Sequence, residues 1–254
     1  CEDKFFPYKF EEIKNEIKLR FFRITYDSTC NLNCIFCRSS KSEISKEELL
    51  KNDKLSEKII EILPFFNERE SVISLNGCGE VFYSKRHIAL IKEVVEKYKN
   101  IKFEFVTNGI LCSEKTFKTL EIEDKIDTIE VSVHATEEKT YNQMCLGGDF
   151  KKLKENLKYL SRLHKEGKIK DFVMNFAINS INYKEMEKFV KWAFNFGATP
   201  QFLALLNLYN DRVYKELNIA NPEHPKYKDF VKYMKKDIFR DKRIIIPEGY
   251  LNLK

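Results

Sequence analysis

The sequence predicts an α/β fold: six parallel strands alternating with helices in a partial barrel, with additional helices towards the C-terminal end. Three observations carry this reading. The 254 residues are 43% hydrophobic and 33% charged, with only 8 Gly and 6 Pro, the composition of a globular chain long enough to bury a sizeable core. Short β-branched and aromatic runs are each followed by a segment with apolar residues at helical spacing, six times over in about 180 residues. Strands separated by helices in this way pair in parallel through right-handed crossovers. Six units are two short of a closed eight-fold barrel, so an open barrel is expected, with its chemistry at the C-terminal ends of the strands.

The elements follow in order. Leu19–Tyr26 (LRFFRITY) reads as the first strand. A helix runs from Lys46 to Leu63, capped by Ser45 with Glu48 three residues on, and is expected to stop at Pro64. Ser71–Leu75 is a short apolar strand, followed by a helix from Ser84 to Lys97. Lys102–Thr107 alternates polar and apolar before an Asn108-Gly109 turn, with a short helix at Glu114–Leu120. The fourth strand is Thr128–His134, and helices are expected near Glu137–Met144 and over Phe150–Lys165. Phe172–Ile178 is the fifth strand, Lys184–Phe196 a helix ending at Gly197, and Pro200–Leu205 the sixth strand. Beyond it come helical turns and two prolines, Pro222 and Pro225. With no repeat or long linker in view, the barrel is assigned to residues 19–210, an N-terminal extension to 1–18 and a C-terminal extension packed on the barrel to 211–254.

Charge and cysteine content exclude several function classes. Net charge is 45 − 39 = +6, interspersed in runs such as KEVVEKYKN, which describes solvated helix faces and disfavours a nucleic-acid partner. No run of about 18 apolar residues exists to span a membrane. Cysteines stand at 1, 30, 34, 37, 78, 112 and 145, an odd number that argues against a secreted disulfide scaffold and for a reducing compartment. The chain starts at Cys1 instead of Met, so an upstream segment is expected to have been removed.

Cys30-Asn-Leu-Asn-Cys34-Ile-Phe-Cys37 lies in the loop directly after the first strand. Three thiolates within eight residues suit one metal centre. Structural zinc sites normally take four protein ligands, so zinc would need a distant Cys or His. A cubane iron–sulfur cluster held by three thiolates keeps one iron open for a non-protein ligand.

In this position, and with Phe36 before the last cysteine, the motif resembles that of the radical S-adenosylmethionine (radical SAM) enzymes, and ITYDSTCNLNCIFCRSS looks like their twitch- or SPASM-type subset. The resemblance continues through Asn76-Gly77-Cys78-Gly79-Glu80, Thr107-Asn108-Gly109, Ser132-Val-His134, Gly147-Gly148-Asp149-Phe150, Asn182-Tyr-Lys-Glu185 and HPKYKDF, covering about 85% of the chain. It implies a TIM-like (β/α)6 partial barrel in which Cys30, Cys34 and Cys37 hold a [4Fe–4S] cluster. The open iron binds S-adenosylmethionine, whose reductive cleavage yields a 5′-deoxyadenosyl radical that abstracts hydrogen from substrate. No Cys-rich segment for an auxiliary cluster is evident.

For single residues the resemblance implies the following. Phe36 lies against the adenine. Gly77, Gly79 and Glu80 meet the methionine amino group, with Cys78 where glycine or a polar residue is usual. Asn108, Ser132, His134, Asn175 and Asn179 line the site near the ribose. Each also has a plain structural reading: core aromatic, tight turn, hydrogen-bonded histidine, polar strand end. Cys145 stands where related enzymes carry Arg, and its weak S–H bond makes it a candidate hydrogen-atom donor to a substrate radical, or else a buried small residue. The expected reaction is dehydrogenation or epimerisation of a sugar or peptide, that is, an oxidoreductase or isomerase, with a flavodoxin- or ferredoxin-type electron donor. Alternatives are a glycyl-radical activase, a non-catalytic iron–sulfur or zinc module, and, less favoured, an RNA-modifying enzyme.

Overall fold

Residues 20–37, 45–67, 70–76, 79–207 and 211–251 are described by a computed structural model of the chain. Strands β1 (Phe21–Ile24), β3 (Ser71–Leu75), β4 (Ile101–Thr107), β5 (Ile126–Ser132), β7 (Ile169–Ala177) and β8 (Thr199–Leu203) form one sheet in the order β1-β3-β4-β5-β7-β8, every pair parallel. Helices α1 (Lys46–Asn67), α2 (Lys85–Lys97), α3 (Glu114–Leu120), α4 (Glu138–Met144), α5 (Phe150–Lys165) and α6 (Met186–Phe196) supply the crossovers. The expected six-strand partial barrel is what the chain forms, with α7 (Asp211–Leu217), α8 (Tyr227–Met234) and α9 (Glu248–Leu251) after it.

The period-2 pattern of the strands divides the sheet into two chemistries. One face carries Ile73, Leu75, Phe103, Phe105, Ile129, Val131, Met174, Phe176 and Phe202, all buried. It packs on the helix layer, as in the Phe176–Phe189 ring contact, and on Phe82 of the turn before α2, which meets Phe105. The opposite, concave face is polar. Ser74 donates to Glu104 at 2.5 Å and Asn175 to Glu130 at 2.9 Å, each across neighbouring strands.

Among the described residues, four helix starts are capped by side chains, Ser45 as the sequence implies. Ser45 Oγ accepts from Glu48 N, Ser84 from His87 N, Ser113 from Thr116 N and Asp149 from Lys152 N. Pro64 departs from expectation. It lies inside α1, which runs on to Asn67. Proline costs a helix interior about 3 kcal/mol, but Leu63 and Phe66 are buried on either side and Phe66 stacks on Phe22 at 5.1 Å. Tertiary packing outweighs the local penalty.

Strand limits move by a few residues. β1 is shorter than read, β5 and β7 start earlier, and β5 ends at Ser132, leaving His134 beyond it at φ +62°. The segment read as one helix from Lys184 opens as a 3-10 turn (Tyr183–Glu185) before α6. A second, two-stranded sheet was not foreseen: β2 (Asn33–Cys34) pairs antiparallel with β6 (Cys145–Leu146).

Beyond β8, Ile245 continues the sheet edge. Phe202 N donates to Ile245 O at 2.8 Å and Ile245 N to Pro200 O at 3.0 Å, while Phe239 packs on Phe202. No helix of the described residues is long and apolar enough to cross a membrane.

Candidate active site

The loop after β1 is built around a carboxylate. Asp27 Oδ1 accepts from Thr29 N (2.9 Å) and Thr29 Oγ1 (2.8 Å), an Asx turn that sets the chain's direction just before Cys30. Asp27 Oδ2 accepts from Ser84 Oγ (2.8 Å) and Arg86 Nη1 (3.3 Å), tying the loop to the start of α2. Burial by itself would raise this carboxyl, but the bonds from Thr29, Ser84 and Arg86 outweigh it and hold Asp27 below the usual carboxylate range. The next strand's loop lies directly on it. Glu80 N donates to Thr29 O at 2.8 Å, and a Cβ on Gly79 would stand 2.5 Å from both Asp27 O and Thr29 O. Glycine is required here by backbone meeting backbone.

Cys30, Cys34 and Cys37 follow within this braced loop, all half-buried. Leu32 N points at Cys30 Sγ (3.4 Å). Asn108 Nδ2 donates to Asn31 Oδ1 (2.8 Å) and lies 3.9 Å from Cys30 Sγ, so the predicted Asn108 does reach the cysteine loop. Ile35 N donates to Met144 O, and Cys34 sits opposite Cys145 in the β2–β6 ladder. Cys145 is therefore buried against the cysteine loop. Tyr141 lies nearby with its hydroxyl buried and without a partner among the described residues; burial, then the neighbouring Cys145 and Cys34, push its phenol up.

Phe36 touches His134 edge-on at 5.1 Å, joining the loop to the end of β5. His134 in turn accepts from Ala177 N at Nδ1 (3.0 Å), which places its proton on Nε2, and burial lowers its pKa to about 4, so the ring is neutral. Ser132 is in register with Asn175. Asn175 is buried, and with its Nδ2 given to Glu130, its Oδ1 has no partner among the described residues.

Other predicted residues are taken up by the fold. Glu80 is buried, and its carboxylate accepts from Thr107 Oγ1, Phe82 N and Asn108 N. Burial raises it and those donors partly offset the rise. It shapes the Asn108 turn. Asn179 is fully buried, its amide spent on Ala177 O, Met144 Sδ and Ile181 N. Gly77 and Cys78 lie outside the described residues, and Cys112 is a buried thiol that burial, with Glu80 adjacent, pushes well up. Reading by motif missed Asp27, Arg86, Asn31 and the concave-face pair Glu104 and Glu130. The Asp27-Ser-Thr29 Asx signal was legible; Arg86, 59 residues away, leaves no local trace.

The donor set fits an iron–sulfur cluster: three half-buried thiols in one short loop, with N–H groups of Leu32 and Asn108 aimed at a sulfur. A cubane takes its thiolates at separate corners; among the described residues no three His, Cys, Asp or Glu side chains come together to hold a single metal ion. The unpartnered Asn175 acceptor beside Ser132 fits a hydroxyl-bearing ligand at the same end of the sheet.

A parallel partial barrel carrying a CxxxCxxC loop at the C-terminal end of its first strand defines an iron–sulfur enzyme class, and residues 24–193 match the model of the Radical SAM superfamily. The chain belongs to that superfamily: it is an enzyme whose cofactors are a [4Fe–4S] cluster and S-adenosylmethionine. An uncharacterised protein of Methanocaldococcus jannaschii is 29% identical over 174 residues, 65% of this chain and 39% of that protein. A probable GTP 3′,8-cyclase of Saccharolobus islandicus is 23% identical over 247 residues, 92% of this chain and 73% of its own. Among solved structures, anSMEcpe with bound AdoMet and a peptide aligns over 90% of this chain and 63% of its own at TM-score 0.55 and 20% identity. Methylornithine synthase aligns over 90% and 64% at TM-score 0.53 and 13% identity. The chain thus spans about two fifths of the first of these relatives and under two thirds of the structures.

Proposed function

We propose that Cys30, Cys34 and Cys37 ligate the cluster and that the enzyme abstracts hydrogen from a C–H bond of a sugar or peptide substrate, leading to dehydrogenation or epimerisation. The observation that carries this reading is the cysteine loop itself, braced by Asp27, Asn108 and the β2–β6 ladder at the C-terminal end of the sheet. Bound there, cluster and S-adenosylmethionine supply a 5′-deoxyadenosyl radical. The chain's residues do the rest. Phe36 offers an aromatic face for the adenine, Ser132 and the Asn175 carbonyl meet ribose hydroxyls, and Asn108 orients the loop. The neutral His134 holds the β5 and β7 ends together. The polar concave face, with Glu104 and Glu130, is where a hydroxyl- or amide-bearing substrate finds partners. Support for the substrate class comes from relatives named for GTP, a nucleotide containing a sugar, and from the peptide bound to anSMEcpe. A small acidic flavodoxin- or ferredoxin-type donor suits the net charge of +6, and the oxygen-labile cluster suits the cytoplasm.

Anaerobically reconstituted protein is expected to be brown, to hold about four iron atoms per chain and to release 5′-deoxyadenosine from S-adenosylmethionine under dithionite. Cys30→Ala, Cys34→Ala and Cys37→Ala should each abolish both. Stoichiometric zinc with no deoxyadenosine would overturn the reading.

A further inference from the structure

Cys34 and Cys145 are 111 residues apart in sequence (145 − 34), yet they are directly opposed in the β2–β6 ladder. The flanking bond, Ile35 N to Met144 O at 3.0 Å, identifies theirs as the non-hydrogen-bonded type of antiparallel pair. Opposed residues of that type have Cα atoms roughly 4.5 Å apart, with side chains leaning together on one face of the ladder. That spacing falls at the short end of the range of about 4.4–6.8 Å that a disulfide spans. Cys34 is half-buried and open to a small oxidant, whereas Cys145 is only 2% exposed. The pair thus has the layout of an attackable thiol with a protected resolving partner behind it.

We propose that Cys34 and Cys145 are a peroxide-reactive modification site of the cluster-free protein. The Cys34 thiolate attacks hydrogen peroxide, giving Cys34 sulfenic acid and hydroxide. The Cys145 thiol then displaces the sulfenic oxygen as water, forming the Cys34–Cys145 disulfide. Two thiols are oxidised and one peroxide is reduced to two waters. The disulfide removes a cluster ligand, so iron cannot load until a dithiol reductant restores both thiols. It also shields Cys34 from irreversible over-oxidation to the sulfinic acid. This consequence rests on Cys34 being a ligand; the disulfide itself does not.

The test uses the full chain, prepared without iron under argon and given one equivalent of hydrogen peroxide. Intact mass should fall by about 2 Da, and a non-reduced digest should contain a peptide joining Cys34 to Cys145. Iron uptake should drop at least five-fold and return after dithiothreitol. In Cys145→Ser and Cys145→Ala, which lack the resolving thiol, a first equivalent of peroxide should leave Cys34 as sulfenic acid and a second equivalent should oxidise it on to sulfinic acid, after which iron uptake is lost and not restored by dithiothreitol. If the oxidised wild type instead joins Cys34 to Cys30 or Cys37, or if Cys145 stays fully alkylatable, the proposal is overturned. Iron content of untreated protein reports the ligand assignment separately, so failure of that assignment is distinguishable from failure of the disulfide.

Discussion

Asp27 joins three pieces of chain that contribute to the site: its own turn, the Ser84 cap and Arg86 of α2. Its carboxylate is almost wholly buried, and Arg86 is mostly so. Asp27→Ala should therefore leave Arg86 held, among the described residues, only by Asp53 and Leu49 O, and leave the turn and the Ser84 hydroxyl without their acceptor, at a cost of about 1–3 kcal/mol in urea unfolding, with reduced iron loading. Asp27→Asn, which keeps the shape and loses the charge, should cost less. His87, at the start of the same helix, has both ring nitrogens without a partner among the described residues and stacks edge-on to Tyr26. Burial lowers its pKa to about 4, with Asp27 opposing and Arg86 reinforcing the shift. The unfolded chain thus binds a proton near pH 6.5 that the folded chain does not accept until about pH 4, so stability rises with pH across that window. Thermal midpoints should fall on acidification from pH 7 to 4.5. A His87→Phe variant should lose less over the same range, the histidine accounting for on the order of 3 kcal/mol. The three cysteines stood out because they lie within eight residues, and Asn108 because Asn-Gly is a turn signal, although its side-chain partner Asn31 is 77 residues away; the Asx turn at Asp27, though local, was missed. The turn that holds Asn179, whose side-chain oxygen accepts from Ile181 N and whose backbone N–H donates to Asn182 Oδ1, is local but was not read.

Among elements, α1 shows a local rule overruled. Pro64 is exposed, while Leu63 and Phe66 are buried, so sequence punctuation argued for a stop where the core argued for another turn. Pro64→Ala should restore a helical hydrogen bond and raise the urea midpoint, since alanine is the better helix interior residue by about 3 kcal/mol. Phe66→Ala should lower it by about 3–5 kcal/mol. Circular dichroism during unfolding checks both. The six strands of the sheet were readable from alternation and turn residues. The β2–β6 ladder was not, because two-residue strands carry no periodicity and their partners lie more than a hundred residues apart. Gly79 is the element-scale complement: Gly79→Ala would force the β1 and β3 loops apart and should weaken iron loading even where the sheet survives.

At the scale of the whole molecule, the sheet separates an apolar face that makes the core from a polar face carrying Ser74, Glu104, Glu130 and Asn175. That division follows from the period-2 pattern, which made the fold class legible although the strand limits moved. Its far edge, β8, is covered by residues from well beyond the barrel, through Ile245 and Phe239. A chain ending at Leu205 would expose β8 as an unpaired edge together with Phe202, and should associate in sizing columns where the full chain does not.

The bracing of the cysteine loop also imposes a timetable on synthesis. Cys30–Cys37 emerge early, but their supports arrive in turn: Glu80 for Thr29, Asn108 for Asn31, and last Met144 and Cys145 for Ile35 and Cys34. At roughly 5–20 residues per second, the segment from Cys34 to Cys145 takes about 5–20 s to be made. During that interval the loop's thiols exist on a nascent chain without the ladder that orders them, so ordered iron loading belongs after translation has passed β6.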